Sequence, residues 1–309
     1  HERHPTVAAI TGVEADHLDV YGSLEGVLEA FGEFASRLPA AGDGGRLLIA
    51  QEGAHRERVT AGVRCGVETI GWAGSGADWC VEAVVAGGGV QRVRVVGGGG
   101  REQLVFTLGL PGGHMAMNAA TAGVLALWMG AERGAVESAL GGFLGVERRM
   151  QDLGEVRLEG GVVRVWDDYG HHPTEVAATL SALREHHFGR SGRGEGGEKE
   201  RMVCVFQPHQ HSRTRFLLES FTESFSAADV VLVPEIYFVR DSEAERERVS
   251  AGDLVERLRA RGVEAWHEPG FGGIVERLRG LLVEGDVVVV MGGGPVWKVA
   301  RGLMGGASV

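Results

Sequence analysis

Apolar positions along this chain follow two periods, and the changes between them mark its elements. Val7 to Thr11 is a short continuous apolar run and reads as a buried strand. Leu24, Val27, Leu28, Phe31 and Phe34 recur at helical spacing and predict an amphipathic helix from Leu24 to Ser36. Pro39 and a glycine-rich turn lead to a strand from Arg46 to Ala50. From Glu68 to Leu110, the alternating segments Trp79 to Val85, Val90 to Val96 and Gln103 to Leu108 suggest an antiparallel meander. The glycines from Gly97 to Gly100 read as a hairpin turn, because no helix follows to make a phosphate cradle. Helices from His114 to about Trp128 and from Arg133 to Phe143 close this half.

The second half alternates strand and helix regularly, which predicts a mostly parallel sheet. Its strands are Val162 to Trp166, Met202 to Gln207, Val230 to Val233, Glu264 to Trp266 and Val287 to Met291, with helices over 174–187, 213–226, 251–261, 270–283 and 296–304. Gly189 to Glu200 holds no apolar residue and reads as a surface insertion. The pattern changes near Arg149 to Gly154, so two domains are expected, 1–150 and 151–309.

Composition narrows the class further. A net charge of -11 with no basic stripe argues against nucleic-acid binding. No apolar stretch reaches membrane-spanning length, so no membrane partner is expected. Cys65, Cys80 and Cys204 are few and unpatterned, which favours a reducing, cytoplasmic setting. Lys199 and Lys298 are the only lysines. The pattern carries no signal for an oligomeric state.

The chemistry concentrates in Asp167-Asp168-Tyr169-Gly170-His171-His172-Pro173-Thr174-Glu175. This run ends a strand and opens a helix, where open α/β sheets bind ligands. Pro173 and Glu175 suit a helix N-terminus, so a polar capping turn is the plainer alternative. Three further segments join it: Ile10 to Tyr21 with Glu14-Ala15-Asp16-His17-Leu18-Asp19, Pro111 to Asn118, and Gln207-Pro208-His209-Gln210-His211-Ser212-Arg213-Thr214-Arg215.

With Gly145-Val146-Glu147-Arg148-Arg149 between them, these segments resemble the Mur ligases over essentially the whole chain, and most of all the alanine-adding branch. The resemblance implies part of a central ATP-binding domain, then a Rossmann-like, mostly parallel α/β domain that binds the acceptor. It implies ATP and Mg2+ as cofactors, UDP-N-acetylmuramate and L-alanine as substrates, and amide synthesis through an acyl phosphate in peptidoglycan biosynthesis. His17 falls on the magnesium-binding histidine, with a capping or core histidine as the alternative from the residues alone. His114 and Asn118, one helical turn apart, fall on the adenine-contacting turn. Arg149 matches an arginine that reaches the nucleotide phosphates, Asp168 a carboxylate near the ribose, and Tyr169 a ring that can pack on adenine. His171, His209 and Arg213 match the groups that hold the acceptor amino acid and the muramoyl end. Asp19, Asp167, His172 and His211 are read as structural.

Departures accompany the match. Gln210 stands where the family usually has an arginine, leaving Arg213 and Arg215 for the carboxylate, and an arginine at 210 is expected to be tolerated. Gly12 and Met115 replace customary asparagines. No Gly-x-x-x-x-Gly-Lys-Ser/Thr occurs, so the phosphate loop, the UDP-binding domain and a magnesium-binding glutamate are expected to precede His1 in a longer ligase, and this chain alone is expected to be inactive. Three alternatives stand beside this reading. They are a ligase that recycles peptides onto UDP-N-acetylmuramate, a non-catalytic binding protein on the same fold, and a metal-dependent hydrolase using His171, His172, His209, His211 and Asp168.

Overall fold

The computed structural model describes residues 4–86, 89–97, 101–189 and 200–305. The turn at Gly98–Gly100 and the insertion at 190–199, with Lys199, lie outside the described residues. The chain divides into two compact units, His1–Leu144 and Gly145–Val309. Among the described residues, no helix is long and apolar enough to cross a membrane.

The first unit runs β1 (Val7–Ile10), α1 (Leu18–Tyr21), α2 (Leu24–Ser36), β2 (Arg46–Ala50), α3 (Arg56–Val59), β3 (Gly66–Trp72), β4 (Trp79–Ala86), β5 (Val90–Gly97), β6 (Arg101–Leu108), α4 (Gly113–Trp128) and α5 (Arg133–Gly141). Its six strands lie in chain order in one sheet. Leu47 and Ile49 of β2 pack with Val27 and Leu28 of α2 on one face, while Leu48 joins Ala116, Ala120 and Val124 of α4 on the other. The period of two along the strand sets that division. The antiparallel meander covers β4, β5 and β6, but β3 pairs with β4 in parallel, against the expectation for the stretch from Glu68. The connection Ala73–Asp78 turns back and lets the chain run the same way twice, and Asp78 anchors it by accepting from the Thr69 amide and hydroxyl.

The second unit runs β7 (Gln151–Leu158), β8 (Gly161–Asp168), α6 (Pro173–Phe188), β9 (Met202–Phe206), α7 (His211–Phe216), α8 (Leu218–Ser224), β10 (Val230–Val233), α9 (Glu243–Arg246), α10 (Ala251–Ala260), β11 (Glu264–His267), α11 (Phe271–Leu281), β12 (Val287–Met291) and α12 (Trp297–Leu303). Strand order is β11-β10-β9-β12-β8-β7, parallel except for the β7–β8 hairpin. The unbroken run Val287–Met291 is fully buried, as a central parallel strand requires. One helix was expected over 213–226; the structure has two, because the backbone at Leu217 (φ -105, ψ 15) leaves the helical region. Because β12 inserts between β8 and β9, the C-terminal ends of those three strands meet at the point where the sheet reverses its winding.

Candidate functional site

In the first unit, the strand ends after β1, β2 and β3 enclose an open cleft of about 550 Å³, with Thr11, Glu14, Glu52, His55, Trp72 and Met117 among its lining residues. His17 lies beyond β1 in a left-handed conformation (φ 53), which non-glycine residues seldom adopt. Asp16 holds it there by accepting from the His17 amide at 2.7 Å, with its other oxygen 3.5 Å from His17 Nε2. A carboxylate and an imidazole at one strand end fit a magnesium ion bound mostly through phosphate and water oxygens.

His114 and Asn118 stand on α4, half-buried and exposed respectively, and Met117 between them lines the cleft. Burial pushes the His114 imidazole below its ordinary pKa, so it is neutral near pH 7. Two residues the sequence did not flag set this corner. Buried Gln91 donates to the carbonyls of Leu110 (2.6 Å) and Gly112 (3.0 Å), fixing the loop that opens α4. The Trp72 ring lies against Gly113, where a Cβ would come within 3.1 Å of it.

In the second unit, three segments converge at the ends of β8, β9 and β12. Asp168 is buried, and its carboxylate accepts from the amides of Met150 and Gly170, both at 2.7 Å. Burial, the largest influence, still raises its pKa. Asp167, on the opposite face of the strand, is pushed up to about 6 by burial, with Arg148 opposing the shift. Arg148 Nε lies 3.4 Å from Asp167, and its Nη2 donates to the Gly292 carbonyl at 2.6 Å. The guanidinium carbons of Arg148 and Arg149 lie 5.2 and 5.0 Å from the Tyr169 ring centre.

Glu175 caps the turn, accepting from the amides of His171 (2.9 Å) and His172 (3.2 Å), while Arg149 lies 3.8 Å from its other oxygen. His171 Nδ1 is 3.1 Å from the Tyr169 carbonyl, and the His171 and His209 rings are 5.9 Å apart. Gly293 sits against both: a Cβ there would meet His209 at 3.3 Å and His171 at 3.6 Å. Buried Arg213 donates to His209 Nδ1 at 3.1 Å and contacts its carbonyl at 3.4 Å. The structure therefore brings His171, His209 and Arg213 together, with Tyr169 beside them.

Other candidates go elsewhere. His172 accepts from the Thr174 amide in the capping box of α6. His211 and Ser212 are tied to Asp241, a buried carboxylate that starts α7. Of the four histidines of the hydrolase alternative, His171 and His209 thus stay together, while His172 and His211 serve other contacts. Arg215 makes a bidentate pair with Glu245, so it is not a second cation for the acceptor. Gln210 is 1% exposed with φ 70, and a guanidinium there would have to be buried, contrary to the expected tolerance. The run Gly292 to Gly294, which in the sequence resembles the family's glycine-rich strand-end loop, lies at the end of β12. Tyr237, with its ring centre 5.5 Å from that of His209, and Asp241 were not selected from the sequence, because their contacts cross strands far apart in the chain.

A sheet reversing over clustered imidazoles, an arginine and a glycine-rich strand end defines a ligand-binding α/β protein. The Mur ligase middle domain matches residues 2–126, and the Mur ligase glutamate ligase domain matches residues 148–294. The chain belongs to the Mur ligase family. It is similar to UDP-N-acetylmuramate–L-alanine ligase of Desulforamulus reducens, with 33% identity over 302 residues, 97% of this chain and 61% of that protein. Its fold matches the crystal structure of UDP-N-acetylmuramate–alanine ligase from Thermotoga maritima (TM-score 0.70, 24% identity, 97% of this chain, 59% of that one). It also matches MurF ligase from Thermotoga maritima in complex with ADP (TM-score 0.67, 16% identity, 97% and 61%). The chain spans about three fifths of the length of the curated relatives it matches.

Proposed function

We propose that this chain forms the nucleotide-base and acceptor-handling part of an ATP-dependent ligase that joins L-alanine to the lactyl carboxylate of UDP-N-acetylmuramate. The observation that carries this reading is the convergence of His171, His209 and Arg213 around Gly293 at the ends of three adjacent strands. In the proposed reaction the carboxylate takes the γ-phosphoryl group of ATP, giving an acyl phosphate and ADP. The alanine amine attacks the acyl carbon, the C–O bond to phosphate breaks, and the amine gives up a proton. Transfer between anions depends on positioned donors and cations more than on covalent protein chemistry. When bound, magnesium supplies charge neutralisation on the phosphates; Asp16 and His17 would hold it.

His114, Asn118 and Trp72 are assigned to the adenine, with Tyr169 as a further ring for it, Asp168 to the ribose and Arg149 to the phosphates. Asp168 spends one lone pair of each oxygen on Met150 and Gly170, leaving others for a ribose hydroxyl. Arg213 is assigned to the acceptor carboxylate. In the protein that carries this chain, Arg213→Ala should reduce alanine-dependent phosphate release by roughly 30-fold or more. This follows from the roughly 2–5 kcal/mol that loss of a desolvated charged partner costs. Near-normal release by a folded variant would remove the assignment. Release with a tripeptide but not with alanine would replace the alanine reading by the peptide-recycling one.

A further inference from the structure

Within the second unit, α12 and the β7–β8 hairpin enclose a cavity of about 480 Å³ that none of the proposed steps uses. Trp297, Ala300, Arg301 and Met304 recur at helical spacing and lay one face of α12 along it. Gln151 and Leu153, two residues apart, present one face of β7. Asp167 closes the cavity at the end of β8. Successive residues of a strand face opposite ways, so the cavity lies across the sheet from Asp168 and the site around it.

The lining is rich in donors that have nothing to donate to. Gln151 Oε1 accepts from the Arg148 amide at 3.0 Å, which leaves the carboxamide N–H groups over. The Arg301 guanidinium stacks on Trp297, its carbon 4.5 Å from the ring centre. Stacking occupies the face of a guanidinium and leaves the N–H groups along its edge open. Among the described residues, the Gln151 N–H groups, the Trp297 indole N–H and the Arg301 guanidinium have no hydrogen-bond acceptor and no ion pair. Leu153, Ala300 and Met304 add apolar surface beside them. The other charges are Glu147, which is exposed, and Asp167 with Arg148 3.4 Å away. Two acids thus balance two arginines, and the lining is close to neutral.

We infer that this cavity is a second ligand site, independent of the ligase reading, and that it takes an aromatic monocarboxylate. The carboxylate meets the open edge of Arg301, whose planar fork matches two carboxylate oxygens, and the Gln151 N–H groups assist. The ring lies on the apolar strip, where the thioether of Met304 suits an aromatic edge. A near-neutral lining admits one negative charge and disfavours a polyanion such as a nucleotide. The volume is in the range of small-molecule pockets.

The test uses benzoate, benzamidine (the same ring with a cation), acetate (the carboxylate without a ring) and phenyl phosphate. The 309-residue chain is labelled with 15N-tryptophan, and Trp297→Phe identifies the Trp297 indole signal. Benzoate should move that signal saturably. Benzamidine, acetate and phenyl phosphate should each bind about tenfold or more weakly, the margin that one charge-assisted hydrogen bond or a lost ring contact implies. Arg301→Gln keeps an amide donor and removes the charge, and it too should weaken benzoate about tenfold with an unchanged Tm. Arg301 is exposed, so the substitution leaves the core intact. A Trp297 signal that benzoate does not move overturns the site. Benzamidine binding as tightly as benzoate, or full benzoate affinity in Arg301→Gln, overturns recognition of an anion by Arg301. Acetate equal to benzoate removes the aromatic requirement, and tighter binding of phenyl phosphate replaces the carboxylate by a phosphate.

Discussion

Asp167 shows what a single buried carboxylate does to the second unit. Its pKa is raised from 3.8 to about 6, first by burial, so the fold favours the protonated form. A group raised in this way contributes stability that is complete below the unfolded pKa and is lost as pH climbs through the folded one. Wild-type stability should therefore fall through this group between about pH 4 and pH 7, by at most about 3 kcal/mol at 1.36 kcal/mol per unit. Asp167→Asn removes the titration. Urea unfolding of both proteins across that range should show the variant gaining on the wild type as pH rises; a constant gap would mean that Arg148 fully compensates the charge. Gln210 gives a second residue-scale expectation. Seated at 1% exposure with φ 70, it leaves little room for a longer cation, and Gln210→Arg should cost about 1–3 kcal/mol through overpacking. Thermal melts of the variant would check this, and an unchanged Tm would show that the guanidinium finds an exit.

At the level of elements, α6 depends on its first turn. Glu175 accepts from two amides at once, so Glu175→Ala should cost about 1 kcal/mol, typical of a lost cap, while Glu175→Gln should keep most of it. Hydrogen exchange at the His171 and His172 amides is the readout; equal exchange in all three proteins would show that the turn is held from elsewhere. This turn was legible in the sequence, because Pro173 and Glu175 are local signals read against a helix start. For the same reason β2, α2, β10 and β12 fall where the apolar pattern put them. The parallel pairing of β3 with β4 was not legible, since register between neighbours depends on a connection and not on the strands' own pattern. Strand β7 was missed because Gly154 interrupts its alternation and its register shifts beside Asp152 and Gly154. Gln91, Trp72 and Asp241 escaped for a related reason. Each acts on backbone 19 or more residues away, and no short motif records such a partner.

For the molecule, the decisive feature is the distribution of positive charge available to phosphates. The chain has net charge -11, only Lys199 and Lys298 as lysines, and no phosphate-loop pattern. Backbone amides of such a loop, with its lysine, supply much of the attraction for the β- and γ-phosphates. Without them, nucleotide affinity should rest mainly on the base and ribose contacts proposed above, with Arg149 alone adding little for the phosphates, and the acidic field disfavours a polyanion. The 309-residue chain should therefore bind ATP no more than tenfold more tightly than adenosine, a margin of about 1.4 kcal/mol. It should also release no phosphate in response to alanine. Titration calorimetry with both ligands, with and without magnesium, gives the comparison. Much tighter binding of ATP would mean that Arg149 and other arginines hold the phosphates strongly without such a loop. In that case the division between base recognition and phosphate recognition proposed for this chain would have to be redrawn.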